Sequence, residues 1–222
     1  MPTYFAESLA QLKIFEACVP WMYLDSVGKV TVGVGLMLPD AAAASALGFT
    51  LGGAPAGAGQ ITAEFARVAA LAPDKLPAFY RAATSPELPQ AIIDAKLSAV
   101  LSGFEATIRA GIAGYDALPD AVKMALLDMA YNLGPTGLLR GYPRMLSAVE
   151  AGNWAQAAAE CARNGIGDAR NVWTKQQFLS AGIANISAEA EAEVRSLIHR
   201  LRSLIQRVMA WLKTIWRKLR PL

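Results

Sequence analysis

Residues 14–35 read IFEACVPWMYLDSVGKVTVGVG, and this stretch decides the fold. It overlaps the segment ESLAQLKIFEA (residues 7–17), whose apolar residues recur at helical spacing and predict a short helix. Glu16 falls near the C-terminal end of that helix, and Pro20 cannot continue it. The chain therefore leaves helical structure directly after an acidic residue.

A β-hairpin is predicted next. Residues 21–24 (WMYL) form an apolar run, and residues 25–28 (DSVG) have the composition of a turn. Residues 30–35 (VTVGVG) alternate valine with smaller residues, which is strand periodicity. The hairpin thus places Asp25 at its turn and Thr31 on its return strand.

One face of the return strand is nearly bare. Thr31, Gly33 and Gly35 share that face, because side chains of a strand alternate between its two sides. Glycine in a strand lets another group approach the backbone closely, so Gly33 and Gly35 are candidate ligand-binding positions. The Thr31 hydroxyl could hold a water molecule or a ligand atom on the same face.

Glu16 and Asp25 are the candidate catalytic pair. Glycoside hydrolysis commonly uses two carboxyl groups, one protonated to donate to the leaving oxygen and one ionised. A helix C-terminus disfavours a nearby negative charge, which suits a proton donor at Glu16. Two acids nine positions apart also occur by chance in most proteins, so the pair alone leaves a purely structural reading open.

The spacing of Glu16, Asp25 and Thr31 resembles the catalytic triad of the phage-type lysozymes, glycoside hydrolase family 24. This resemblance implies a general acid at Glu16 and a residue that stabilises positive charge or steers water at Asp25. It also implies that Thr31 orients the water, and that no cofactor is needed. The implied substrate is peptidoglycan, cut between N-acetylmuramic acid and N-acetylglucosamine.

Two later regions are also similar to that family. Residues 121–134 predict a helix with a polar end, and the resemblance implies that Asn132 contacts substrate; capping of the helix before Gly134 is the alternative. Residues 167–171 (GDARN) match an element that supplies an arginine near the catalytic acid, here Arg170. A solvated surface arginine is the alternative. Leu36 and Ala17 depart from the family, which often has His and Gly there.

Composition favours a mainly helical chain. Of the 222 residues 54% are hydrophobic, and many of these are alanine, a strong helix former. We predict an α+β class with a two-lobed, lysozyme-like fold: a small hairpin lobe, a helical lobe and a C-terminal helix. Residues 1–183 are the predicted catalytic domain and 184–222 a separate tail. Within the domain, residues 39–90 predict an insertion that decorates the surface, or alternatively lengthens one lip of a cleft.

Several other chemistries lack the residues they need. His199 is the only histidine and lies in the tail, which argues against Ser-His-Asp catalysis, Cys-His catalysis and a histidine zinc site in the domain. No metal site and no cofactor are predicted. Cys18 and Cys161 lack metal-ligand spacing, and free thiols are expected. The N-terminus shows no signal-peptide pattern, so we expect synthesis in a host cytoplasm and action at the cell wall.

The tail has a different charge balance from the domain. Residues 1–193 carry a net charge of −5, and residues 194–222 carry +8 with no acid. Apolar residues recur there at spacings of three, four and seven, as in an amphipathic helix that lies on a membrane. The predicted membrane-binding residues are basic or tryptophan: Arg195, Arg200, Arg202, Arg207, Trp211, Lys213, Trp216, Arg217, Lys218 and Arg220.

The predicted partners are therefore peptidoglycan and an anionic membrane or lipopolysaccharide, with no nucleic acid and a monomeric chain. The tail could instead pack on the domain or on another copy, and its abrupt composition is also compatible with a fused segment. The predicted function is that of a bacteriolytic muramidase, such as an endolysin. Two alternatives remain: a membrane-disrupting antimicrobial protein, and a non-catalytic wall-binding module on a lysozyme-like body.

Overall fold

The structure, a computed structural model, describes residues 2–219, apart from the side chains of residues 185–188, 190 and 204–219. It is mostly helical and has two small antiparallel sheets, which confirms the predicted α+β class. The helices are α1 (Thr3–Phe15), α2 (Ala41–Ser45), α3 (Ala58–Ala69), α4 (Pro77–Tyr80), α5 (Gln90–Gly111), α6 (Asp120–Leu133), α7 (Pro135–Gly141), α8 (Pro143–Glu150), α9 (Trp154–Glu160) and α10 (Asp168–Leu219). The strands are β1 (Val19–Leu24), β2 (Val30–Gly33), β3 (Leu36–Met37), β4 (Thr50–Leu51) and β5 (Ala54–Pro55).

The transition from α1 to the hairpin follows the sequence prediction. Glu16 caps the C-terminus of α1, and its backbone N–H donates to the carbonyl of Leu12. Ala17 then takes a left-handed conformation with φ of 57°, which redirects the chain before Pro20. The end of α1 therefore places Glu16 shortly before the first strand of the sheet.

The hairpin itself is fixed by its turn. Strands β1 and β2 are antiparallel, with Leu24 opposite Val30 and Tyr23 opposite Thr31. The Asp25 carboxylate accepts hydrogen bonds from the backbone N–H groups of Val27 and Lys29, at 3.0 and 2.8 Å. A side chain that bonds to the backbone within its own turn stabilises that turn. β3 pairs with β2 and completes a three-stranded sheet in the order β1-β2-β3.

Residues 39–90 do more than decorate the surface, and that expectation was wrong. Their apolar side chains complete the core behind the hairpin: Phe49, Ile61, Val68, Tyr80 and Leu88 are buried together with Met22 and Val32 of the sheet. The Leu88 N–H also bonds to the carbonyl of Pro20 at 2.7 Å. A three-stranded sheet cannot bury its apolar face alone, so this segment supplies the second layer.

The helical part of the fold is organised around α6. All nine residues from Val122 to Ala130 are buried, and α6 packs against α1, α5, α7 and α10. The apolar residues of 89–112 recur at helical spacing, and α5 runs there from the hairpin to α6 and α7. Its Ile93 covers Gly33 of the sheet.

α10 continues without a break through the predicted boundary at residue 183. Phe178 and Ala181 are buried against the rest of the fold, whereas Ile183 is 67% exposed and the described residues after it are almost all exposed. The change from buried to exposed thus falls close to the predicted boundary, although the backbone is one helix. Within the described residues, no helix is both long enough and apolar enough to cross a membrane.

Candidate active site

Glu16 is paired with Arg170, although 154 positions separate the two residues in the sequence. Nη1 of Arg170 donates to Oε1 of Glu16, and the Glu16 side chain remains 28% exposed. The Arg170 guanidinium also lies 5.3 Å from the ring centre of Phe15. Arg170, in the first turn of α10, thus holds Glu16, the C-cap residue of α1. One side of the Glu16 carboxyl group is open to solvent.

Arg170 is itself anchored by Asp128 of α6. Nε of Arg170 donates to Oδ1 of Asp128 at 2.8 Å, and Oδ2 of Asp128 accepts from Nη2 of Arg163 at 2.7 Å. The Thr174 hydroxyl lies 3.0 Å from the same Oδ2. All four side chains are buried. The sequence prediction placed Arg170 near the acid but missed Asp128 and Arg163.

Asp128 could have been found from one signal. It is the one charged residue within the apolar run ALLDMA of a helix predicted to be central, and a buried carboxylate needs charged or hydrogen-bonding partners. Its partners could not have been named, because Arg163 and Arg170 come from different parts of the chain. The solvated alternative for Arg170 is excluded by its burial, which leaves 8% of the residue exposed.

Tyr23 connects Glu16 electrostatically to Asp25. Burial, together with the smaller effect of the negative charges of Asp25 and Glu16, raises the pKa of Tyr23 to about 12. Both predicted catalytic carboxylates therefore act on one phenol. Thr31 stands opposite Tyr23 in the sheet, is 2% exposed, and donates its hydroxyl proton to the carbonyl of Lys29 at 3.1 Å.

Tyr131 links α6 to the hairpin next to the same carboxylate. Its hydroxyl donates to the carbonyl oxygen of Val34, and burial together with the charge of Glu16 raises its pKa to about 12. Its ring borders an apolar cavity of about 220 Å³, which Gly33 and Gly35 also line. Lys96 of α5 supplies the charged group on that cavity's lining.

β2 ends at Gly33, and residues 34–35 form the turn into β3, so the prediction of one bare strand face shared by Thr31, Gly33 and Gly35 was wrong. The two glycines have different surroundings. A Cβ at Gly33 would lie 3.2 Å from Cγ2 of Ile93, so the group that approaches this backbone is the protein's own side chain. Gly35 is exposed, and an added Cβ there would meet nothing nearer than the Tyr131 hydroxyl at 3.9 Å. Substrate contact at either glycine stays a prediction, and Gly35 is the more accessible position.

A second cavity, of about 370 Å³, contains the polar candidates. Glu16, Asn132 and Arg170 line it together with the loop Gly165–Gly167 that leads into α10. Asn132 is exposed and forms no side-chain hydrogen bond to the described residues, while Gly134 takes the C-cap position of α6. The structure thus groups Glu16, Asn132 and Arg170 around one cavity and places Gly33 and Gly35 on the apolar cavity beside Tyr131, whereas Asp25 and Thr31 line neither cavity.

The tail candidates are described only in part. Arg195, Arg200 and Arg202 are exposed, and Arg195 forms an ion pair with Glu191 at 3.2 Å. Among the apolar residues close to them in sequence, Val194 and Leu197 are 54% and 56% exposed. The other predicted membrane-binding side chains lie outside the described residues: Arg207, Trp211, Lys213, Trp216, Arg217, Lys218 and Arg220.

Both cysteines carry free thiols. Among the residues that the structure describes, no three His, Cys, Asp or Glu side chains lie close enough together to hold a metal ion.

Comparisons with known proteins find similarity to solved structures alone. No protein-family model matches the chain, and no curated protein matches it. Among solved structures, the endolysin from Escherichia coli O157:H7 phage FAHEc1 is similar, with a TM-score of 0.47 and 16% sequence identity. The match covers 78% of this chain and 88% of that chain. Membership of the phage-type lysozymes therefore stays a prediction.

Proposed function

We propose that the protein is a peptidoglycan hydrolase of the muramidase type, with Glu16 as the general acid. The observation that carries this proposal is the pairing of Glu16 with Arg170 on the lining of a cavity of about 370 Å³. A partly exposed carboxyl that is held by a buried arginine has a fixed direction and remains open to a ligand. Fixed geometry of this kind is what proton donation to a leaving oxygen requires.

Asp25 supplies the second carboxyl group. One of its oxygens accepts two hydrogen bonds from the turn, so the side chain has a defined orientation. Its negative charge would stabilise the oxocarbenium-like transition state or steer the attacking water. The Thr31 hydroxyl donates to a backbone carbonyl, which leaves its oxygen able to accept a hydrogen bond from that water.

The resemblance to the phage-type lysozymes supports the choice of substrate. Three of the residues that carry the resemblance, Glu16, Asn132 and Arg170, line one cavity, whereas the other two, Asp25 and Thr31, are not part of its lining. We therefore propose the β-1,4 bond between N-acetylmuramic acid and N-acetylglucosamine as the bond that is cut. The adjoining apolar cavity beside Gly35 and Tyr131 would accommodate the less polar faces of neighbouring sugars.

Clearing of purified peptidoglycan sacculi tests this function. We expect the wild type to reduce the turbidity of sacculi and Glu16→Gln to lose at least about 100-fold of that rate, since general acids contribute roughly that factor. Glu7→Gln is the matched control, because Glu7 is an exposed acid on the same helix and, unlike Glu16, is not paired with Arg170. Equal clearing by Glu16→Gln would contradict the assignment. Binding to sacculi without clearing by the wild type would favour the non-catalytic alternative.

We further propose that the exposed part of α10 binds an anionic lipid surface. Val194, Leu197 and Leu201 leave more than half of their side chains uncovered, beside the exposed Arg200 and Arg202. Apolar residues combined with an excess of positive charge are typical of helices that lie in the interface of anionic membranes. The net charge of +8 over residues 194–222 is the complement of such a surface.

Vesicle co-sedimentation tests the lipid proposal. We expect the full chain to bind phosphatidylglycerol vesicles, to bind phosphatidylcholine vesicles weakly, and to lose binding on Leu197→Glu. Leu179→Glu is the control, since Leu179 is a 40% exposed apolar residue on the same helix within the domain. Equal binding to both lipids would contradict the charge argument. Self-association without lipid binding would show that a second copy covers this face instead.

A further inference from the structure

A buried charge cluster lies directly behind Glu16. It consists of Asp128, Arg163 and Arg170, with Thr174 as a neutral member, and Asp128 and Thr174 are 1% and 0% exposed. Burying charges is costly unless each is paired, so a cluster of this size needs a reason beyond packing. One arginine would neutralise Asp128, yet two contact it.

Arg170 is the second arginine, and it places the positive charge that Asp128 does not neutralise next to Glu16, the proposed catalytic acid. Arg163 is buried and paired with Asp128, whereas Arg170 extends from Asp128 to Glu16. With Glu16 ionised, the two acids and two arginines balance. With Glu16 protonated, the cluster holds one net positive charge. Proton donation by Glu16 therefore depends on how much of the Arg170 charge Asp128 offsets.

The geometry of Arg170 also limits its hold on Glu16. Its Nε is committed to Asp128 and its Nη1 to Glu16, while Nη2 is buried with no partner among the described residues. Neither carboxylate receives the two parallel bonds of a bidentate pair, which is the stronger arrangement. Asp128 thus turns the guanidinium so that it makes a single contact with the acid.

The two tyrosines that interact with Glu16 are neutral at ordinary pH. Tyr23 from β1 and Tyr131 from α6 interact with its charge, and the pKa of each is raised to about 12. Asp25 acts on the same Tyr23 from the hairpin turn. Among the described residues, Arg170 is the cation in direct contact with Glu16.

We propose that Asp128 is a positioning residue for the proposed reaction, which offsets the charge of Arg170 and fixes its single contact so that Glu16 can hold a proton. Arg163 has the opposite effect, because it withdraws part of the Asp128 charge from Arg170. This inference rests on Glu16 being the general acid. It assigns a role to two residues that do not touch the cavity.

Two substitutions test the inference by the sign of their effects. Activity requires protonated Glu16, so the alkaline limb of the kcat/KM profile reports its titration. Asp128→Asn keeps the shape of the side chain but removes its negative charge, and we expect the alkaline limb of the profile to move to lower pH. In Arg163→Gln, Asp128 is paired with Arg170 alone and offsets more of its charge. We therefore expect the alkaline limb of the profile to move to higher pH. Thr174→Val is the control variant. We expect its Tm to be lower and the alkaline limb of its kcat/KM profile to lie at the same pH as in the wild type.

Shifts of the two charge variants in the same direction, or no shift in either, would overturn the inference. A shift in Thr174→Val equal to that of Asp128→Asn would reduce the cluster to a structural role. If Asp128→Asn does not fold, the sign of the Arg163→Gln shift decides. Carbon NMR of the Glu16 carboxyl in the full chain gives the same titration without catalysis. This readout separates failure of the inference from failure of the muramidase proposal.

Discussion

Arg170 reaches Glu16 across 154 positions of sequence and ties the start of α10 to the end of α1. The same guanidinium is bonded to Asp128 of α6, so three helices meet at one side chain. A single planar cation with several donors can satisfy two carboxylates at once, which an ammonium group on a flexible chain does poorly. The position of Glu16 therefore depends on this arginine.

Arg170→Lys should impair activity more than stability. Lysine keeps the charge but cannot bond Asp128 and Glu16 in the same fixed geometry, so Glu16 loses its orientation. We expect kcat on sacculi to fall by about 100-fold, the usual effect of a small misplacement at a reacting centre. Arg140→Lys, an exposed site on α7, is the control. Full activity of Arg170→Lys would show that charge alone is sufficient.

Gly33→Ala should destabilise the fold more than Gly35→Ala. Both glycines have positive φ, 68° and 69°, so alanine costs about 1–2 kcal/mol at either position. At Gly33 the new Cβ also meets Ile93, which adds roughly 1–3 kcal/mol of overpacking. Chemical denaturation of both variants measures the difference, and Ile93→Ala, which removes the contacting Cγ atoms, should cost less in the Gly33→Ala background than in the wild type. Equal losses at the two glycines would contradict the contact with Ile93.

Tyr131→Phe should loosen the connection between α6 and the hairpin. It removes the hydroxyl that donates to Val34 and leaves that carbonyl without this partner, at a cost of about 1 kcal/mol. Tyr142→Phe is a matched control, because its hydroxyl makes only a longer, exposed hydrogen bond of 3.4 Å to Ala162. Urea unfolding compares the two. A cost at Tyr142 as large as that at Tyr131 would argue against the connection.

Stability should fall in alkaline solution. The pKa values of Tyr4, Tyr23 and Tyr131 are each raised to about 12, chiefly by burial. A raised pKa means that the folded state favours the protonated phenol, so its stabilisation is complete below the unfolded value of about 10. It is lost as pH rises to about 12. Denaturation midpoints measured across this range should drop, and less steeply in Tyr131→Phe. A midpoint independent of pH would contradict the burial of these phenols.

Removal of residues after Ile183 should separate two activities. The domain side of α10 is buried through Ala181, so the shortened chain keeps the contacts around Phe178 and Arg170. We expect sacculus clearing to persist and killing of intact cells to fall. Loss of both activities with a lower Tm would show that the tail contributes to the fold.

Local patterns predicted much of the fold and part of the site. The end of α1, the hairpin and helix α5 follow from periodicity, turn residues and Pro20, each of which acts over a few positions. Asn132 and Arg170 were placed with Glu16 by resemblance, and both line its cavity. These features could be predicted because they depend on residues close together in the sequence or on a motif of a known family.

The rest depends on contacts between distant segments. Phe49, Ile61 and Tyr80 belong to a stretch rich in alanine and glycine, and nothing local shows that they cover the hairpin. Arg163 follows α9 as an ordinary basic residue, and only the fold brings it to Asp128. Pairing over long sequence separations is decided by the tertiary structure, which overrides local preference.

The chemistry of the released ends tests the central claim most directly. Sacculi digested with the wild-type protein are reduced with borohydride, and the soluble fragments are identified by mass spectrometry. A muramidase leaves reduced N-acetylmuramic acid at every new end, and Glu16→Gln should leave none. New ends of reduced N-acetylglucosamine, or free peptide ends with intact glycan, would contradict the account.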